Sequence, residues 1–170
     1  MQIALGHLVL VALLTSRSHA APTSKVAPMQ LLDDDVCELL RSNLTDHCKA
    51  IAKSPVATVY QSGSRYGVRR FVLAIAHGDR TMVGPAIDIV GDDATVPTLH
   101  AITLDGRAGI AMDLASSSRD GTRHEVLACG AIANGAWKCA DVELGRCEPT
   151  IGADGSIASS CGGRTALTLD

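Results

Sequence analysis

Cysteines placed symmetrically about turn signals restrict this chain more than any other feature of its sequence. Cys129 and Cys139 are equidistant from Asn134, Cys147 and Cys161 are equidistant from Asp154, and each centre is followed by a glycine, Gly135 or Gly155. Asn-Gly and Asp-Gly between apolar runs are strong hairpin signals. Within residues 124–144, HEVLACGAIANGAWKCADVEL, a two-residue loop Asn134-Gly135 sets Cys129 across from Ala140, whereas a three-residue loop Ala133-Asn134-Gly135 sets it across from Cys139. The second register lets the sulfurs meet. Counted outward from Ile132 opposite Ala136, the cysteines fall at a non-hydrogen-bonded pair, where α-carbons lie about 4.5 Å apart, at the short end of disulfide reach. The loop Ala153-Asp154-Gly155 brings Cys147 opposite Cys161 by the same count. Cys37 and Cys48 would stand about 16 Å apart along one unbroken helix, at about 1.5 Å per residue. A bond between them therefore requires a break near Ser42-Asn43. The framework expected is Cys37–Cys48, Cys129–Cys139 and Cys147–Cys161, each bracketing a turn, although six cysteines permit other connectivities.

An even set of cysteines is kept oxidised outside the reducing cytosol, and the start of the chain agrees. Residues 1–20, MQIALGHLVLVALLTSRSHA, hold an apolar core at 8–14 followed by Ser18-His19-Ala20, the small-residue pattern of a cleaved signal peptide. The apolar run is shorter than the roughly 20 residues that a membrane span needs. The expectation is a secreted or periplasmic protein whose mature chain begins at Ala21, with no stable membrane span after cleavage. Residues 21–29, APTSKVAPM, read as a flexible, proline-containing leader.

Residues 30–53 place Leu32, Val36, Leu39, Leu40, Leu44, Cys48 and Ile51 at spacings of three and four, which is helical periodicity. Asp33-Asp34-Asp35 suits the N-terminus of that helix, where acidic groups complement the macrodipole. The run lacks the alternating ligands and turn glycine of a calcium loop. Ser54-Pro55 closes the helical part. Residues 54–170 then read as an antiparallel meander, with strands over 56–61, 68–76, 81–90, 96–104, 108–114, both arms of the two cysteine hairpins, and 165–169. Turn signals separate them: Ser62-Gly63, Gly78-Asp79, residues 91–93, Asp105-Gly106, residues 116–121, Asn134-Gly135 and Asp154-Gly155. The fold class is α+β, mainly antiparallel β. An N-terminal helix or helical hairpin packs on a meander sheet, which closes into a sandwich or an open barrel.

Chemistry is harder to find than architecture. Aromatic residues make up 2% of the chain and the formal net charge is −3. That argues against nucleic-acid binding and against a sugar platform of stacked rings. His124-Glu125 has no second histidine at zinc-protease spacing, the cysteines lack Cys-x-x-Cys spacing, and there is no glycine-rich phosphate loop, so no metal or cofactor is expected. Two features suggest binding surface instead. Arg65, Tyr66, Arg69 and Arg70 concentrate charge at the start of a strand, and Trp137 stands beside Cys139. Arginine and aromatic residues favour interfaces, while the bland alternatives are an edge strand guarded by charge and a tryptophan packed over its neighbouring disulfide. Asn43-Leu44-Thr45 is a glycosylation sequon. The leading expectation is a non-enzymatic binding, inhibitory or envelope-associated domain meeting an unidentified macromolecule at the cell surface or outside the cell. The alternative is a small secreted hydrolase with a loop-borne site drawn from His77, His100 and Ser116, Ser117 and Ser118.

Overall fold

Alternating aliphatic residues and frequent glycine turns carry this chain into strands, and nearly all of them are antiparallel hairpin partners. The computed structural model describes residues 24–33, 35–40, 45–64, 67–90 and 94–169. Its elements in order are β1 (Ser24–Pro28), β2 (Gln30–Leu32), a short helix α1 (Val36–Leu40), β3 (Thr45–Lys53), β4 (Ala57–Ser64), β5 (Val68–His77), β6 (Arg80–Val83), β7 (Ile87–Val90), β8 (Ala94–Leu104), β9 (Arg107–Ser118), β10 (Gly121–Ala131), β11 (Trp137–Gly145), β12 (Pro149–Ile151), β13 (Ser156–Ser159) and β14 (Arg164–Ala166).

The wiring repeats. The first sheet has the order β1-β11-β10-β9-β8 and the second β2-β6-β5-β4-β3, with β7 also pairing β5; β12-β13-β14 form a small third sheet. Each large sheet is thus a meander whose last long-range partner is an N-terminal strand. Only Met29 separates β1 in one sheet from β2 in the other, so the chain changes sheets there.

The hairpin arithmetic holds residue by residue. Ile132 N–H donates to Ala136 O at 2.8 Å and Gly135 N–H to Ile132 O at 3.0 Å. Gly135 has φ +80°, as the three-residue loop requires. Cys129 therefore sits opposite Cys139, with α-carbons 4.0 Å apart and the sulfurs bonded. The second loop repeats this pattern, with Gly152 N–H to Ser156 O at 2.8 Å and Gly155 N–H to Gly152 O at 2.9 Å, and Cys147 bonds Cys161. A third copy at Ser159–Gly163, with Gly162 N–H donating to Ser159 O at 3.0 Å, carries no symmetric cysteine pair to announce it.

The helical expectation for residues 30–53 fails over most of its length. The only helix among the described residues is α1; β2 precedes it, and residues 45–53 form β3, while the break expected near Ser42-Asn43 lies outside the described residues. The reason lies in β3, whose register against β4 shifts between Thr45 and His47 and again between Ala50 and Ala52. Each irregularity offsets the alternation of a strand by one residue. Cys48 and Ile51 are consequently half-buried three positions apart and imitate a helix. What survives is the acidic cap: Asp35 Oδ1 accepts Cys37 N–H at 2.9 Å and Asp35 O accepts Glu38 N–H at 2.9 Å. Cys37–Cys48 then ties α1 to β3, rather than clamping a helical hairpin.

Other expectations also change. Ser54-Pro55 turns the β3–β4 hairpin, with Ser54 Oγ accepting Ala57 N–H at 3.0 Å. Ser62-Gly63 lies inside β4 and is no turn. Residues 81–90 make two strands rather than one, and the leader proposed for 21–29 contains β1, which pairs with β11 from Ser24↔Val142 to Pro28↔Lys138. The signal-peptide reading of residues 1–20 and the sequon asparagine, Asn43, fall outside the described residues.

Three clusters supply the core. The largest lies between the two large sheets and joins Ala57, Val59, Phe71, Leu73, Ile75 and Ile87 to Ile110, Met112, Leu114, Leu127 and the Cys129–Cys139 bridge. A full burial of Leu, Phe or Met stabilises by about 1.5–3 kcal/mol, and this inter-sheet layer holds Phe71, Leu73, Met112, Leu114 and Leu127 at that depth. On the far face of the first sheet, Ala111, Val126, Ala128, Ala140 and Val142 meet Ile157, Leu167 and Leu169 of the third sheet and the C-terminal tail. Thr103 N–H donates to Ala153 O at 2.7 Å and fastens the third sheet to edge strand β8. On the far face of the second sheet, Val36 and Leu40 of α1 cover Val72, Ala74 and Val83.

Candidate functional site

Apolar alternation on the inter-sheet face of the first sheet stops at one end and polar residues continue it. Along β10, Cys129 and Leu127 are followed by Glu125 and Arg123; along β9, Met112 and Leu114 by Ser116; along β11, Cys139 by Asp141 and Glu143. Glu125 is paired with Glu143 across the strands and with Leu114 on the other side, and Lys25 of β1 is opposite Asp141. The register of β10 against β11 shifts between His124 and Glu125, with Gly145 at φ +59°. Such bulges re-aim side chains and recur beside functional sites.

Two clefts open at this end. One of about 430 Å³ is lined by Asp88, Ile89 and Val90 of β7 together with Ser116, Ser118, Arg123 and Glu125. A smaller one of about 170 Å³ shares Ser116, Arg123 and Glu125 and adds Leu114, His124, Glu143 and Gly145. We refer to this end as the mouth.

Crowded carboxyls give the mouth unusual electrostatics. Burial, then the Asp141 charge and a hydrogen bond to Asp141, push Glu125 up to about 7; Glu143 adds to this and Lys25 opposes it. Asp141 is also raised, chiefly by burial. The carboxyl–carboxyl hydrogen bond favours the protonated form of Glu125, while Asp141 Oδ1 is buried with no hydrogen-bond partner among the described residues. Asp88 behaves oppositely: Arg70 Nε and Nη2 donate to its two oxygens at 2.7 Å each, holding its carboxyl below its usual range. Behind Glu125, on the far face of the first sheet, His124 Nδ1 lies 3.2 Å from Asp113 Oδ1, with the two side chains only 12% and 16% exposed.

The residues singled out from sequence are dispersed by the fold. Arg65 and Tyr66 lie outside the described residues. Arg69 shares the inter-sheet face of β5 with Phe71 and Leu73, whereas Arg70 shares the opposite face with Val72, so they do not form one patch. Trp137 is half-buried against the core cluster that contains Cys129–Cys139. His77 closes β5 at the end away from β7, His100 sits in mid-β8 opposite Ala111, and Ser116–Ser118 end β9 at the mouth, so the hydrolase set does not converge. Glu125, Asp141 and Glu143 were missed because they become neighbours only through the strand register. The usable signal was acidic residues at inward positions of a hairpin whose register the cysteines already define. Among the described residues no group of three or more histidine, cysteine or acidic side chains is arranged to hold a metal, and no helix is long and apolar enough to cross a membrane.

Comparison with protein-family models, with curated proteins and with solved structures finds no match to this chain. Three disulfides in a small β-rich domain fit a disulfide-stabilised domain of a non-cytoplasmic compartment.

Proposed function

We propose that the protein is exported, cleaved after Ala20, and folds outside the cytoplasm as a disulfide-clamped sandwich that binds another macromolecule through the mouth. The observation that carries this reading is the contrast between a clamped frame and a polar opening. All the cysteines are bonded, while the two clefts and the uncompensated carboxyls gather at one end of the inter-sheet layer. Rigid hairpins presenting a partly desolvated polar surface lose little entropy on binding.

Two measurements test it. Intact mass of the exported protein should show a chain starting at Ala21 that is six hydrogens lighter than its reduced form; a retained leader or free thiols would sink the export reading. A photo-crosslinking residue at Ser118 should join the protein to a partner in its native setting, while the same residue at Asp105, in the hairpin turn at the other end of β9, should not. Equal crosslinking from both positions would remove the mouth from the proposal.

The His124–Asp113 pair supports a second reading, hydrolysis, because an imidazole oriented by a carboxylate is half of a nucleophile-activating set. It ranks second. The nearest hydroxyl in register, Ser117, spends its Oγ on Thr122 Oγ1 at 3.1 Å. Labelling of Ser117 by a serine-directed fluorophosphonate would reverse the order.

A further inference from the structure

Adjacent arginines on β5 supply an internal comparison. Arg70, on the outer face, directs Nε and Nη2 at the two oxygens of Asp88, each at 2.7 Å. This is the paired geometry in which a guanidinium edge reads a carboxylate or phosphate. Arg69, on the inner face, offers the same two nitrogens; both are buried and neither has a hydrogen-bond partner among the described residues. A buried cationic donor without an acceptor is among the costlier things a fold can hold.

The surroundings of Arg69 favour an anion from outside the chain. Its cross-strand partner is Ile89, which lines the larger cleft of the mouth. On the facing sheet, Thr95 is paired with Ser116, another lining residue, and Thr95 Oγ1 is likewise buried with no partner among the described residues. Asp88 on the cleft wall is already neutralised by Arg70, and Arg123 adds a cation to the same wall. The remaining acid there is Glu125, which burial disposes to carry a proton.

We infer that Arg69, with Thr95 and Arg123, forms an oxyanion-binding subsite at the mouth, taking a carboxylate or a phosphate group through the free Nε/Nη2 edge of Arg69. This deepens the reading of the mouth as a contact surface and rests on it for its biological use. The shared chemistry is a two-oxygen anionic edge, from either a partner's carboxylate or a phosphate.

The test is a titration of the intact, oxidised protein with inorganic phosphate and, separately, acetate, each against chloride at matched ionic strength. Thermal shift and the ¹⁵N resonance of the Arg69 Nε–H are the readouts. Phosphate or acetate should raise the melting temperature and move that resonance, and Arg69→Lys, which keeps the charge but loses the fork, should weaken the response about tenfold. Arg80→Gln, at the opposite end of the second sheet and paired with Asp33, should leave it unchanged. A response to acetate as strong as to phosphate supports a carboxylate ligand, and a response to phosphate alone supports a phosphate. No response beyond chloride, or an undiminished response in Arg69→Lys, overturns the subsite. Crosslinking at Ser118 without an anion response removes the subsite and leaves the mouth; the reverse pattern removes the mouth as a partner surface and leaves the subsite.

Discussion

The two large sheets follow one plan and differ in how firmly it is enforced. In the first, β8, β9, β10 and β11 are 9 to 12 residues long, their pairings run nearly unbroken, and a disulfide locks one hairpin inside the shared core. Both faces of that sheet are buried, by the second sheet and by the third. In the second, β3 is twice irregular, β5 divides one flank between β6 and β7, and the outer face is covered by the five residues of α1. Its disulfide, Cys37–Cys48, joins the cover to the edge strand and lies outside the inter-sheet layer. The same connectivity thus yields one layer covered by a sheet on both faces and a looser one covered by a sheet on one face and only a short helix on the other. Arg69, whose Nε and Nη2 have no hydrogen-bond partner among the described residues, belongs to the looser layer.

The sharpest way to break this contrast is to remove each clamp in turn. Converting Cys129 and Cys139 to alanine should cost about 4 kcal/mol in urea unfolding, because buried packing is lost along with the cross-link; the same change at Cys37 and Cys48 should cost about 2 kcal/mol. Equal losses would mean that the position of a clamp in the core counts for nothing beyond the chain it closes. Next in size is Gly155→Ala. Gly155 has φ +75° and a Cβ there would run into Leu104, the residue that also packs over Gly109 and Gly130. A cost of about 3 kcal/mol is expected from strain and overpacking together; a loss below about 1 kcal/mol would show that the third sheet is not tightly held to the first.

A smaller effect depends on pH. Folded Glu125 keeps its proton up to about 7, whereas its ordinary value is 4.5. Its contribution to stability is therefore fully present below about 4.5, declines as pH rises, and is lost as pH passes about 7. Solvent screening at this half-exposed site limits the effect to about 1 kcal/mol. Glu125→Gln should flatten the profile and gain stability at pH 8, as judged by melting curves across pH; an unchanged slope would place the burden on Asp141. The smallest change is expected from Arg70→Ala, whose pair with Asp88 is about 40% exposed on each side, at roughly 0.5 kcal/mol. A larger loss would make the outer face of the second sheet firmer than its cover suggests.

How much was legible in the sequence follows the same division. In the first and third sheets, symmetric cysteines around Asn134 and Asp154 revealed loop length, register and pairing, because a left-handed glycine and a cross-strand disulfide each tolerate few geometries. Asp105-Gly106 likewise turns as read, at φ 49° and 76°. In the second sheet, periodicity misled, because the register shifts of β3 spaced Cys48 and Ile51 like a helix. One strand of the first sheet was also missed: β1, its largely exposed edge, showed no buried face to distinguish it from a leader. The mouth was hidden for a different reason. Glu125, Asp141 and Glu143 mean little in line; it is pairing across β10 and β11 that crowds them, whereas the separation of Arg69 from Arg70 was available from the alternation of the strand read over 68–76.

Met29 makes one demand on the order of events during biosynthesis. The chain leaves the ribosome N-terminus first, yet β1 waits for β11 and β2 waits for β6. Contacts between distant segments are slow to form, and unpaired edges are prone to aggregate meanwhile. Until β11 has emerged, its own hairpin with β10 cannot close and the edge meant for β1 does not exist. The first residues of the domain are thus among the last to find their place, and a nascent chain halted before Trp137 should leave Ser24–Pro28 open to protease even where the second sheet has formed.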